Sequence, residues 1–356
     1  MSNQTDTKPM NSIIGIGNPI IDISCEIDEE ILKKYELGWG KTVFANEKNE
    51  PFFEELEKNP KVKYTTGGSI QNTLRVCSWC INMKEENKNK YKITVFGAVG
   101  NDDYKDKIMN ALSVSGVNPL FEFNEKVNSS RCGVGILNKE RCLVPQIRAS
   151  NTMTMEFAEK NLSEILTHNM LIIEGYFLQE KFDICKKLVD EFNKQKKLVI
   201  FTFGAVFMIQ AHNDKVMEIS NKSDIIAANM EECEAFAGKK GENALDTIIL
   251  AHKKLSKNNK RLLVMTDGGK GVYVTRFNYD INHLEFVLHS FPSPINSNDI
   301  VDLNGAGDAF LGGFLSQYLQ GKSLDICCRA GNIIAGVILK NVGCTYQEDL
   351  KFDFEE

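Results

Sequence analysis

The chain has 356 residues, 42% hydrophobic and 25% charged, enough apolar material for about two ordinary domains and too much for a disordered polymer. Lys and Arg number 42 against 48 Asp and Glu, a net charge of −6, the wrong sign for a protein that grips nucleic acid through its phosphates. No apolar run approaches the roughly 20 residues of a membrane span, so neither nucleic acid nor a membrane is expected as a partner.

Residues 1–9 are polar and lack the apolar centre of a secretion signal; the cytoplasm is the expected compartment, with the nucleus open to the same chain. The cysteines agree, since Cys185, Cys233, Cys327 and Cys328 sit within apolar patterns, as reduced thiols used as small hydrophobes do. Cys77 and Cys80 have CxxC spacing but fall inside one helical stretch, Ser69 to Met83, with no second ligand pair to make a zinc site. Ile13 to Ile16 reads as a strand. After Gly17-Asn18-Pro19 no helix follows: Ile21, Ile23, Cys25 and Ile27 alternate with Asp22, Ser24, Glu26 and Asp28, a strand with one wet face. The same pattern at Arg131 to Leu137 and Arg141 to Ile147, joined by Asn138-Lys139-Glu140, predicts a hairpin, and the charged stretch Lys84 to Lys92 predicts a solvated loop.

From Leu171 onward the texture changes. Continuous apolar runs at Leu171–Ile173, Leu198–Phe201, Asp224–Ile226 and Leu262–Met265 alternate with helical stretches, for example Phe182, Cys185, Leu188, Val189 and Phe192 on one stripe. This predicts an α/β fold with a mainly parallel central sheet flanked by helices. Residues 1–19, 65–124 and 151–356 are assigned to a large α/β unit, and 20–64 with 125–150 to a small β-sheet lid.

Familiar nucleotide motifs are absent. Gly15-Ile16-Gly17 lacks the third glycine of a dinucleotide turn, Ile20 standing in its place. Gly40-Lys41-Thr42 and Gly321-Lys322-Ser323 end like P-loops, but Tyr35 and Ser316 occupy the first glycine position. More informative is Asp302-Leu303-Asn304-Gly305-Ala306-Gly307-Asp308-Ala309-Phe310, followed by a helix pattern through Leu311, Phe314, Leu315 and Leu319 that stops near Gly321. Small residues there let an anion approach N–H groups at the positive end of a helix. Asp308 falls in the first turn, as a base beside those donors or merely as a complement to the helix dipole. Gly312 and Gly313 each cost the helix about 1 kcal/mol relative to Ala, which marks close approach of another backbone or a ligand.

The segment Asp302 to Phe310 resembles the signature of the ribokinase-like carbohydrate kinases, and Asn304, where Thr is commoner, is similar to the branch that acts on adenosine. Gly17-Asn18-Pro19-Ile20-Ile21-Asp22-Ile23, Gly67-Gly68-Ser69-Ile70-Gln71-Asn72, Asn229-Met230-Glu231-Glu232 and Gly343-Cys344-Thr345 match further family elements, in order, from Ile13 to about Thr345. The resemblance implies transfer of the γ-phosphoryl of ATP to the ribose 5′-hydroxyl of adenosine, giving AMP and ADP in purine salvage. Mg²⁺ would serve as the metal, with a monovalent cation in some relatives, and the chain would act as a monomer.

By the same resemblance Asp308 is the general base, the amides of Gly305, Ala306 and Gly307 are the anion hole, and Arg141 (or its neighbour Arg148) reaches the phosphate. Asn18, Asp22, Gly67, Gly68, Ser69 and Asn72 would hold the ribose, and Ile20, Phe44, Cys132, Leu143, Ile147 and Phe177 would line an adenine slot. Taken singly, each is as readily a turn, cap or packing residue; Ser69 is placed to cap its own helix. Thr266, Asp267, Gly268, Asn304 and Asn332 would meet ATP, while Asn229 and Glu232 would organise Mg²⁺ through water. Asp267 and Asn332 stand where animal members carry Gln and His, and Thr202-Phe203-Gly204-Ala205-Val206 departs from their Asn-Leu-Ser-Ala-Pro, which leaves the phosphate donor open. The histidines, His168, His212, His252, His283 and His289, receive no catalytic role. Competing readings are a ribokinase or other nucleoside kinase, and a nucleoside-binding protein without activity.

Overall fold

Every second residue of the apolar runs turns to the opposite side of a sheet, and both sides are covered. Ile13, Ile172 and Ile200 join one buried cluster, whereas Ile14, Leu171, Ile173, Val199 and Phe201 join another on the far face. The structure, a computed structural model, describes residues 10–39, 41–137 and 140–355; residues 1–9, Gly40 and the Asn138-Lys139 part of the expected hairpin turn lie outside the described residues.

In chain order the strands are β1 (Ser12–Ile16), β2 (Ile20–Glu26), β3 (Lys41–Thr42), β4 (Lys63–Gly67), β5 (Lys92–Gly100), β6 (Asn118–Asn124) and β7 (Ser130–Leu137). Then come β8 (Glu140–Gln146), β9 (Met170–Glu174), β10 (Leu198–Thr202), β11 (Ile225–Asn229), β12 (Leu262–Thr266), β13 (Val272–Asn278) and β14 (His283–Ser290). Nine of them form one sheet in the order β14-β13-β12-β11-β10-β9-β1-β5-β6. Pairing is parallel from β6 to β12 and antiparallel where β13 and β14 close one edge. The α/β expectation holds, and the parallel arrangement brings Glu174, Thr202, Asn229 and Thr266 to one rim, the carboxyl ends of their strands.

The other five strands form a small sheet, β3-β8-β7-β2-β4, in which β3 and β4 join the three strands whose alternation is visible in the sequence. Its last strand runs through Gly67, past residue 64. One side is sealed by the helix Pro51–Lys58, whose Phe52, Phe53 and Leu56 meet Ile21, Ile23 and Cys25. The other side carries Asp22 and faces the large sheet.

Two helices bring Ser69 and Asp308 together: Ser69–Asn82 and Ala306–Leu319 pack against each other, while the latter also packs on Leu324–Ile338. The glycines inside Ala306–Leu319 are accounted for by those neighbours. A Cβ on Gly312 would lie 2.6 Å from the carbonyl oxygen of Thr73, and one on Gly313 would lie 2.8 Å from that of Ala330. All ten cysteines are free and buried, Cys77 and Cys80 within one helix. The Lys84–Lys92 stretch holds a short 3₁₀ turn at Glu85–Asn87 before Lys92 opens β5. Among the described residues no helix is long and apolar enough to cross a membrane.

Candidate active site

Gly305 takes φ +79° and stands at the N-cap of Ala306–Leu319, so Asp308 falls in the first turn. Its carboxylate is held from the neighbouring helix. Ser69 Oγ donates to Oδ1 at 2.7 Å and Asn72 Nδ2 donates to Oδ2 at 3.0 Å. Ser69 and Asn72 are three residues apart on one helix face, which lets both reach the same group. Ser69 does not cap its helix: it is the first helical residue, the N-cap is Gly68, which offers no side chain, and the Ser69 hydroxyl donates to Asp308. Burial pushes the Asp308 carboxyl up from its ordinary range, and the two donors pull it back.

The donor set also differs from expectation. The Ala306 N–H already points to the carbonyl of Leu303 at 3.4 Å, while the Gly307 and Asp308 N–H groups have no partner among the described residues. The free amides at this helix start thus include that of Asp308 itself. Ser69, Thr202, Asn229, Glu232, Thr266, Gly307 and Asp308 line one cavity of about 170 Å³.

Asn229 and Glu232 form a capping box, Glu232 N–H donating to Asn229 Oδ1 at 2.8 Å and Asn229 N–H donating to Glu232 Oε2 at 3.0 Å. The structural role of this pair is real, and Oε1 of Glu232 takes no part in it. Burial raises the Glu232 carboxyl to about 7. Oxygen donors sharing a cavity fit a hard cation such as Mg²⁺. Among the described residues no three or more His, Cys, Asp or Glu gather into a group that could hold a metal ion.

Opposite stands the small sheet. Register puts Asp22 beside Cys132, with Arg141 and Leu143 on the same face two strands away. The Asp22 carboxylate lies across Gly67, where any Cβ would overlap it, and Gly68 at φ +90° sits where a Cβ would overlap the Asn18 carbonyl. Burial raises Asp22 to about 7 against the pull of Arg141. Three buried polar atoms here lack partners among the described residues: Asn18 Oδ1, Gln71 Oε1 and Asn72 Oδ1. Unsatisfied acceptors gathered beside a carboxylate make a cradle for hydroxyl groups.

Arg141 and its sequence competitor Arg148 are separated by the fold. Arg141 Nη1 meets Asp302 Oδ2 at 3.0 Å, their side chains only 10% and 3% exposed. Asp302 also accepts the N–H of Asn304 at 3.0 Å and of Gly343 at 2.6 Å, so Arg141 lands on the stem of the Gly305 loop. Arg148 instead joins Arg131 on Glu50, where β7 begins and β8 ends.

The apolar slot needs one correction. Phe177 is 1% exposed and packs into the far-face core, because the turn Gly175–Phe177 carries it inward. Its neighbour Tyr176 turns outward instead, its ring 5.9 Å from Phe207, which meets Phe44 edge-on at 6.1 Å. Tyr176 Oη donates to the Gly204 carbonyl at 2.7 Å, which fixes the ring. Neither Tyr176 nor Phe207 was singled out by sequence; adjacent aromatics at a strand end were the available signal for the first. Ile20 and Ile147 are half-buried, and Cys132 is buried beside Asp22.

Thr266 ends β12 in the cavity, and its neighbour Asp267 donates its N–H to the Gly271 carbonyl and faces Lys270 at 3.4 Å. Gly268 has open space where a side chain would be. Asn332 lies apart from Asp308, donating to Ser290 Oγ at 3.2 Å on the wall of a second, more apolar cavity of about 480 Å³ that Ile295, Ile333 and Val337 also line. His168 and His252 are buried on Thr94 and Thr275, away from both cavities.

The profile described as "pfkB family carbohydrate kinase" matches residues 39–350. The chain belongs to the pfkB family. It is 28% identical over 349 residues to adenosine kinase 1 of Arabidopsis thaliana, covering 96% of this chain and 97% of that one. It is 31% identical over 341 residues to adenosine kinase of Dictyostelium discoideum, covering 94% and 96%. Among solved structures, Anopheles gambiae adenosine kinase in complex with P1,P4-di(adenosine-5) tetraphosphate superposes with a TM-score of 0.83 at 26% identity, over 96% of this chain and 98% of that one.

This pfkB kinase places three carboxyls under strain of burial. Asp22 and Glu232 rise to about 7 and Glu174 to about 8, all above their unfolded values, so each favours folding in its protonated form. Their contribution to stability is complete below the ordinary carboxyl range and is lost progressively as pH rises to about 7 to 8. The melting temperature of the ligand-free pfkB protein is therefore expected to fall between about pH 5 and pH 8. Thermal denaturation across that interval checks it, and a rising melting temperature would contradict it.

Proposed function

We propose that the chain transfers the γ-phosphoryl group of ATP to the 5′-hydroxyl of adenosine, giving AMP and ADP. The observation that carries this reading is the Asp308 carboxylate, aligned by Ser69 and Asn72 beside free amides of a helix start in the shared cavity. Asp308 accepts the proton of the 5′-hydroxyl as that oxygen attacks phosphorus. The Gly307 and Asp308 amides, with the Gly305-Ala306 turn that presents them, stabilise charge gathering on the phosphoryl oxygens, a contribution of about 3 kcal/mol per well-placed donor elsewhere. Arg141 supplies a cation from the small sheet, which acts as a lid that keeps water from the phosphate.

Asp22 accepts hydrogen bonds from the ribose diol, which Asn18, Gly68 and Asn72 also meet. Phe44, Tyr176 and Phe207, with Ile20, Cys132, Leu143 and Ile147 behind them, take the flat base. Thr266, Asp267, Gly268 and Asn304 attend the ATP phosphates, and Asn332 belongs to the apolar cavity suited to the ATP base. Mg²⁺, held through water by Asn229 and Glu232, would neutralise the polyphosphate. The names of the relatives support the same acceptor. ADP release measured with adenosine, guanosine, inosine, ribose and fructose tests the reading: adenosine should give the highest kcat/KM, and a clear preference for a free sugar would overturn it.

A further inference from the structure

We infer that Glu174 is a positioning residue, capping the Ser69–Asn82 helix from a different strand and so holding Ser69 and Asn72 in reach of Asp308; the inference rests on the proposed function of the site. Glu174 ends β9 and is 1% exposed. Its Oε1 accepts the Asn18 N–H at 2.7 Å and its Oε2 accepts the Ile70 N–H at 3.2 Å. Ile70 lies in the first turn of a helix whose N-cap, Gly68, has no side chain and whose Ser69 hydroxyl is engaged elsewhere. One orphan donor of that turn is thus met by a carboxyl oxygen from another element.

The second bond reaches the segment that carries the unpartnered Asn18 Oδ1 and whose carbonyl rests against Gly68. Gly17 is bare at the crossing: a Cβ there would lie 2.8 Å from Glu174 Cδ. A single carboxylate therefore fixes the backbone on both sides of the hydroxyl cradle. With both oxygens accepting N–H groups and the side chain sealed from solvent, Glu174 does not touch substrate. Burial raises the group, and the two N–H donors oppose that by favouring the ionised form.

Glu174→Gln in the full chain, with adenosine and ATP varied separately, tests this. An amide offers one acceptor oxygen and turns its NH₂ toward a remaining N–H donor, so one link is lost. The expected result is a fall in kcat/KM for adenosine of about 10-fold or more, with kcat lower, adenosine KM higher and ATP KM unchanged. In the ligand-free variant the Ile70 or Asn18 amide should also exchange faster with solvent than in the parent. A variant whose kcat falls while both KM values stay put has lost only active protein, and that result overturns the inference. Should the parent fail to phosphorylate adenosine, the proposed function falls by that result alone. Glu174 is then judged on amide exchange without substrate, where unchanged exchange at both amides overturns its role.

Discussion

Asp308→Asn is expected to lower kcat by about 10²- to 10⁴-fold while adenosine still binds, the loss typical of removing a positioned base. The substitution keeps the shape of the group. Ser69 can still donate to its oxygen, and one contact, to Asn72 or from it, is weakened at about 1 kcal/mol. Against that, the variant no longer has a buried carboxylate whose ionisation burial opposes, so its melting temperature should match or exceed that of the parent. ADP release gives the first quantity, equilibrium binding of adenosine the second, and calorimetry the third. Turnover within about tenfold of the parent would show that another group accepts the proton.

Arg141→Met is expected to cost both stability and rate. The methionine replaces the packed stem and removes the charge, leaving Asp302 at 3% exposure without its cation. Breaking one side of a buried pair costs about 3–5 kcal/mol, and the two N–H groups that Asp302 still accepts place this case toward the lower end. Arg141→Met combined with Asp302→Asn separates the two roles. Stability should recover because no lone charge remains, while turnover should stay low because no cation faces the phosphate. If turnover returns with stability, Arg141 serves Asp302 alone.

Much of this arrangement is readable in the chain because it follows from local rules. The apolar runs at Leu171, Leu198 and Leu262 announce strands covered on both faces, and Gly305-Ala306-Gly307 before an apolar pattern announces a helix start with Asp308 in its first turn. What escapes such reading is decided by distant partners. Glu174 looks like the first polar residue after a strand, and nothing local tells that Asn18 and Ile70 will converge on it. Ser69 has the right identity for a cap, but it falls one residue inside the helix, where its hydroxyl donates to Asp308. Arg141 and Arg148 differ only in which acid the fold brings near. Tyr176 and Phe177 are neighbours, and a three-residue turn decides which ring packs inward.

The contact between Gly312 and Thr73 lies one helical turn below the Asp308–Asn72 hydrogen bond, on the same two helices. Helices that carry ordinary side chains at their crossing stand about 8–10 Å apart, so a missing side chain sets the spacing at the close end. The acid and its two escorts are consequently gauged by a bare stretch of main chain that holds no functional group. A single added methyl there would wedge the pair open and detune the chemistry from below, with every polar atom of the cleft still present.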